Sequence, residues 1–325
     1  MILTGHEQAW REWRAAMASP RMHHAWILSG IKGLGKGSFV RAAAAELVAE
    51  PGVLQPSPDQ HPDILFPEHP PENKEEAKKR DEGRDYRRKR SIPIDEIRQL
   101  QRRLTTRPTL GQRRAVIIDP ADDLEKSAVN ALLKSLEEPP QGTYFLLVTH
   151  RIGRLLPTIR SRCRVLSFAP LADDRLDAIL RDQAPEADAA TRLAAIAAAE
   201  GSPGAALDFV GQDLAPLHIV MQRILASGDA DLSLRGQLGA GIGARPDRER
   251  MAAAMDLARA TLAAELSHGG RERQGRVIEA HAAMVRLAAQ APTYNFDPGL
   301  LAMEIGGLLA SAAMPREAAQ QTWKA

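Results

Sequence analysis

The sequence predicts an α/β domain built on a buried parallel sheet, followed by an all-α remainder. Three observations predict it. Short apolar-rich runs recur through the first half, with helix-length stretches between them. A glycine-rich loop joins the first run to the first long helix. After Pro170 the strand signals stop, while leucines and alanines continue at helical spacing.

The runs are Ala25-Trp26-Ile27-Leu28, Asp63-Ile64-Leu65-Phe66, Ala115-Val116-Ile117-Ile118, Tyr144-Phe145-Leu146-Leu147-Val148 and Cys163-Arg164-Val165-Leu166. Continuous apolar character of this length suits strands covered on both faces, as in a parallel sheet. Helices are expected over Lys36 to Glu50, Ile94 to Arg107 and Ser127 to Glu138, the last stopped by Pro139-Pro140. Strand and helix in alternation predict a doubly wound arrangement. Boundaries fall at 1–169 for this module, 170–211 for a small helical unit broken at Gly201-Ser202-Pro203-Gly204, and 212–325 for a second helical domain.

Residues 67–92 interrupt the order. Between Glu72 and Arg90 lie nine Lys or Arg and six Asp or Glu with a single aromatic, so the segment reads as a solvated or disordered insertion. Its Arg87-Arg88-Lys89-Arg90 cluster also suits contact with DNA phosphates, the basis of an alternative reading as a stand-alone DNA-binding module.

Composition bounds the rest. The 325 residues carry 43 basic and 41 acidic side chains, a balance that demands no particular partner. One cysteine, Cys163, excludes a disulfide framework and a multi-cysteine zinc module, and fits a reducing cytoplasm. No apolar run is long enough for a membrane span, so no membrane partner is expected. Cys163 reads as a small buried hydrophobe, and His23 and His24 as structural.

The loop Ser29 to Phe39 carries the chemistry. Gly30-x4-Gly35-Lys36, with Gly33 inside it, has phosphate-loop spacing between a strand and a helix. There backbone N–H groups cradle phosphates and the lysine reaches the β and γ positions. The next residue should be a Ser or Thr that holds magnesium, and it is Gly37. Ser38 comes one residue late, about 100° further round the helix. Asp119 ends the third strand, where such proteins place an acid, but Pro120 stands where a glutamate would activate water. Asp122 and Asp123 read as loop residues or a helix N-cap. ATP or ADP at a degenerate site is therefore possible, whereas hydrolysis lacks its metal ligand and its base.

Three stretches, Arg21 to Phe39, Arg113 to Pro140 and Leu155 to Cys163, together resemble the delta-prime subunits of bacterial replicative clamp loaders, within the AAA+ ATPases. The resemblance covers most of residues 1–211. It implies an AAA+ module, a helical lid and a helical collar in a hetero-pentameric ring. It further implies gamma or tau motor subunits and a delta subunit as partners, with a sliding clamp and primer–template DNA reached through the complex. The chain would belong to the DNA polymerase III holoenzyme without polymerase or ATPase activity of its own and without a required cofactor. Its chemical contribution would be Arg162, beside Ser161, supplied as an arginine finger to ATP on a neighbouring subunit. Thr149 takes the place of a γ-phosphate sensor. Three departures from the family are visible. The four-cysteine zinc module that many relatives carry is missing, the charged insertion before Ile92 has no counterpart, and Gly204-Ala205 replace a phosphate-sensing arginine of the motor subunits. The alternative within the family is an active motor subunit.

Overall fold

The computed structural model describes residues 5–267, 270–291 and 296–313, so the ends of the expected 1–169 and 212–325 spans lie outside the described residues. The chain divides into two compact units, Met1–Pro170 and Leu171–Ala325.

In the first unit the elements run α1 (Glu7–Met17), β1 (Ala25–Ser29), α2 (Lys36–Val48), β2 (Ile64–Leu65), α3 (Lys74–Asp81), α4 (Ile94–Leu104), β3 (Arg114–Ile118), α5 (Lys126–Glu137), β4 (Thr143–Thr149), α6 (Pro157–Arg160) and β5 (Arg164–Ser167). The five strands form one parallel sheet in the order β2-β3-β4-β1-β5. Side chains alternate across it, as the two-residue repeat of a strand requires. Leu146 and Val148 of β4 pack with Trp13, Trp26, Phe39 and Leu47 on the α1–α2 face. Phe145 and Leu147 pack with Ile97, Leu100, Leu132 and Leu136 on the α4–α5 face. Helices on both sides explain why the central strands carry no polar face, whereas the edge strand β5 buries only Leu166.

Inside this unit Asp63 and Arg114 form a buried hub. The Asp63 carboxylate accepts from the backbone N–H of Thr109 at 2.7 Å and of Leu110 at 2.8 Å, and Arg114 Nη2 lies 3.6 Å away. Arg114 in turn donates to the carbonyls of Arg103, Thr106 and Arg107. This network fixes the exposed turn between α4 and β3 onto the buried Asp63 and Arg114 side chains.

Residues 67–92 are largely solvated, as expected, but they are ordered and not disordered. Asn73 caps α3 by accepting from Glu76 N–H at 3.0 Å. The Glu76 carboxylate is buried and accepts from Lys79 Nζ at 2.7 Å and from Arg87 N–H at 2.6 Å. Glu72 N–H to Arg87 O and Lys89 N–H to Pro70 O close an antiparallel bridge between Pro71 and Arg88. A single buried acid organising a charged hairpin leaves no hydrophobic signature, so composition alone misread it.

The second unit is all helical: α7 (Asp173–Gln183), α8 (Ala189–Ala198), α9 (Pro203–Gly211), α10 (Ala215–Ser227), α11 (Ser233–Ile242), α12 (Arg248–Ala264), α13 (Arg271–Gln290) and α14 (Pro298–Ala312). One continuous core runs through it from Leu171 to Ala312, joined across both spans drawn from the sequence. Ser202 caps α9 by accepting from Ala205 N–H, and Pro203 occupies the first turn, so Gly204-Ala205 sit at a helix start. No helix among the described residues is long and apolar enough to cross a membrane.

Candidate functional site

The parallel register brings the C-terminal ends of β1, β3 and β4 together, the edge where open α/β sheets bind ligands. Ser29 of β1 stands opposite Thr149 of β4, and Asp119 follows directly on β3. The loop from Gly30 to Gly35 then turns into α2. Gly33 and Gly35 have φ of 82° and 79°, a left-handed turn that favours glycine. Gly30 is fixed by close approach instead: a Cβ there would lie 2.6 Å from the Phe168 carbonyl oxygen and 2.9 Å from Leu34 Cδ1. Fold constraints alone therefore hold much of the glycine pattern in place.

Lys36 points back into its own loop. Its Nζ donates to the carbonyls of Gly30 and Ile31, both at 2.7 Å, and the residue is 3% exposed. Burial lowers its pKa to about 8, against the opposing pull of Asp119 and Asp122. Burial likewise raises the Asp119 pKa, resisted first by the positive charge of Arg41 and also by Lys36. It also keeps the His150 imidazole neutral, helped by Lys36.

The missing hydroxyl has a spatial consequence. A Cβ on Gly37 would meet Asp119 Oδ2 at 2.7 Å, so the carboxylate leans into the space a Ser or Thr side chain would need. Arg41, one turn along α2, comes to the same place. Its Nη1 donates to Gly37 O at 3.2 Å and lies 3.7 Å from Asp119 Oδ2. Magnesium does not fit these residues, because position 37 offers no oxygen and the one well-placed carboxylate already faces a guanidinium. Ser38, the next residue, is exposed.

Asp122 and Asp123 lie in the turn before α5, the loop alternative, and not at its N-cap. Helix α5 starts at Lys126 with Glu125 before it and no side-chain cap. Asp122 instead ties down the end of β4, accepting from Thr149 Oγ1 at 3.0 Å and from His150 N–H at 2.8 Å. Asp123 pairs with His69 at 3.1 Å. Thr149 is fully buried and also accepts from Arg151 N–H at 3.2 Å. Its hydroxyl is thus committed inside the protein.

Arg162 lies elsewhere, just after α6. Its guanidinium is part-exposed: Nη2 reaches Glu137 Oε1 at 2.7 Å and Nη1 donates to Thr158 O at 2.9 Å. Ser161 Oγ donates to the same carbonyl at 3.1 Å. Cys163 behind it is half-buried, its thiol pushed up to about 12 by burial and so inert as a nucleophile. His23 and His24 stack on each other and hydrogen-bond to Ala25 O and Leu136 O, structural roles both. No cluster of three metal-ligating side chains occurs among the described residues. Sequence reasoning missed Arg41, His150 and Glu137. Arg41 was findable from its i,i+4 relation to Gly37, which puts both on one helix face.

A glycine loop between the first strand and α2 of a five-stranded parallel sheet, with an acid ending β3 and Thr149 ending β4, defines a P-loop-type α/β module in a chain that continues into a helical unit. A family model described as DNA polymerase III, delta subunit, matches residues 5–172, more than half of the chain. The chain belongs to that family. Among similar proteins, the DNA polymerase III subunit delta' of Escherichia coli K12 is 31% identical over 207 residues, 59% of this chain and 56% of that one. The delta' subunit of Pseudomonas aeruginosa is 34% identical over 151 residues, 43% of this chain and 41% of that one. A tau subunit of E. coli K12 is 30% identical over 224 residues, 66% of this chain and 31% of its own. The matched region spans about half the length of the delta' relatives.

Proposed function

We propose that the chain is a non-hydrolysing, delta-prime-type subunit of a DNA polymerase III clamp loader. In it, gamma or tau motors and a delta subunit complete a five-membered ring that loads a sliding clamp onto primed DNA. The observation that carries this reading is the trio Gly37, Asp119 and Arg41. The magnesium hydroxyl is missing, its space is taken by the carboxylate, and Pro120 follows where the general base belongs. Without metal and base, phosphoryl transfer loses both its charge neutraliser and its activated water. The loop then serves the fold, and nucleotide is not required as a cofactor.

The chemistry the chain retains is Arg162. A planar, permanently charged guanidinium near the surface, held by the half-exposed Glu137, the Thr158 carbonyl and the Ser161 hydroxyl, can be handed to a γ-phosphate on the next subunit. Donation in trans also makes turnover depend on assembly. The test is a reconstituted complex in which each subunit combination is assayed with ATP and primed DNA. The isolated chain is expected to show no turnover, and Arg162→Ala is expected to assemble normally while silencing the adjacent motor site. Turnover by the pure chain that disappears in Lys36→Ala would establish the rival, an active motor, which similarity to a tau subunit makes the natural alternative. DNA affinity of the lone chain, lost on removing residues 72–90, would favour the DNA-binding module instead.

A further inference from the structure

The arrangement at Gly37 is more than the loss of a ligand. We propose that Arg41 takes the place of the divalent cation, a built-in charge that pairs with Asp119 and closes the site to magnesium. This rests on the non-hydrolysing reading but adds a cause: the site is occupied, not merely incomplete.

Several contacts converge on that position. Arg41 Nη1 stands 3.5 Å from where a Gly37 Cβ would lie, 3.2 Å from Gly37 O and 3.7 Å from Asp119 Oδ2. The rest of the guanidinium is anchored on its other side. Nε donates to Asp59 Oδ1 at 3.1 Å, and the group lies 5.3 Å from the centre of the Phe66 ring. A fork with five donors can satisfy a carbonyl and two carboxylates together, which a lysine ammonium cannot do in the same geometry. A free carboxylate at the end of β3 would be a divalent-cation ligand, whereas one paired to a fixed guanidinium repels it, because two positive charges about 4 Å apart oppose each other even with solvent nearby. Glycine at 37 is part of the same device. Any side chain there would push the Asp119 carboxylate away from its present place. The other charged and titratable groups acting on Asp119 are Lys36, Asp123 and His150. Lys36 is engaged with its own loop and His150 is held neutral, so neither replaces Arg41.

The test is a titration of the full chain with Mn²⁺, following the free-ion electron paramagnetic resonance signal, with and without ADP. The original chain is expected to take up no manganese at this site in the submillimolar range. Arg41→Ala should bind it at least about tenfold more tightly, as removal of a neighbouring like charge requires, and the added Asp119→Asn change should abolish the gain. Arg41→Gln, which keeps the length of the side chain, gives the same comparison should the alanine variant fold poorly by circular dichroism. Equal uptake by the original chain and both Arg41 variants overturns the proposal, as does uptake indifferent to Asp119→Asn. ATP turnover is measured on the same samples. Turnover by the original chain strikes the non-hydrolysing reading itself. Manganese uptake without turnover strikes only the role given to Arg41.

Discussion

The phosphate-type loop and the segment that ends at Arg162 both belong to the α/β unit, and they dispose of their charges in opposite ways. In the loop, the charges around Lys36 and Asp119 have partners inside the protein. Lys36 is spent on two loop carbonyls, Asp119 faces Arg41, and Asp122 binds Thr149 and His150 N–H. At the other segment the guanidinium stays near the surface, paired with a half-exposed carboxylate, an interaction of small net value in water, and with the exposed Thr158 carbonyl and Ser161 hydroxyl. A site whose lysine and carboxylates are bound by neighbouring groups, with the buried His150 Nδ1 left without a hydrogen bond, has become part of the fold. A cation left on a weak tether is available to another molecule.

The comparison can be broken most directly at Arg162. Arg162→Ala should slow ATP cleavage at the adjacent motor site by about 10³-fold or more, the range for a lost arginine finger, with total turnover falling by that site's share. Single-turnover assay of the reconstituted complex measures it, and an undiminished rate removes Arg162 from the mechanism. Next come the two glycines. Gly30→Ala forces a Cβ against the Phe168 backbone oxygen and should cost about 1–3 kcal/mol in denaturant unfolding, as overpacking does. Gly37→Ala meets only the end of the Asp119 side chain, which can rotate, and should cost less than Gly30→Ala. Equal costs would mean that position 37 is as rigidly built as position 30.

Lys36 gives a pH signature. The folded chain releases its proton near pH 8, while the unfolded chain holds it to about 10.5. Between those values the unfolded state binds more protons, so this residue makes stability rise with pH, and below about 8 the buried charge is a burden. Lys36→Met should flatten that part of the stability profile relative to the original chain, and an unchanged slope would place Lys36 in water. The smallest effect is expected at Glu137. Glu137→Gln should change stability by under about 1 kcal/mol and leave turnover of the complex intact. A loss as large as that of Arg162→Ala would instead make Glu137 the residue that aims the finger.

Each of the five runs proved to lie at a strand, shifted by a residue or two at its ends. The inner strands were legible because parallel strands buried on both faces must be apolar, although the edge strand β5 is largely exposed. The loop was legible because its glycines have few alternatives at positive φ. The hairpin around Glu76 was not, since its order comes from hydrogen bonds to one carboxylate across eleven residues, which periodicity does not report. Nor were the roles of Asp122 and Arg41, whose partners come from other elements.

By itself the sequence determined the α/β-then-helical order, the Gly30 to Lys36 loop, the absence of a hydroxyl at 37 and of a base at 120, and the family. All of these are local patterns that short stretches of chain carry intact. Only the tertiary structure decided that Asp119 and Arg41 fill the vacated space, that Lys36 and Thr149 are engaged internally, and that Arg162 rests on Glu137. Those are contacts between strand ends and helix faces brought together by the sheet, and no single segment encodes both sides of them.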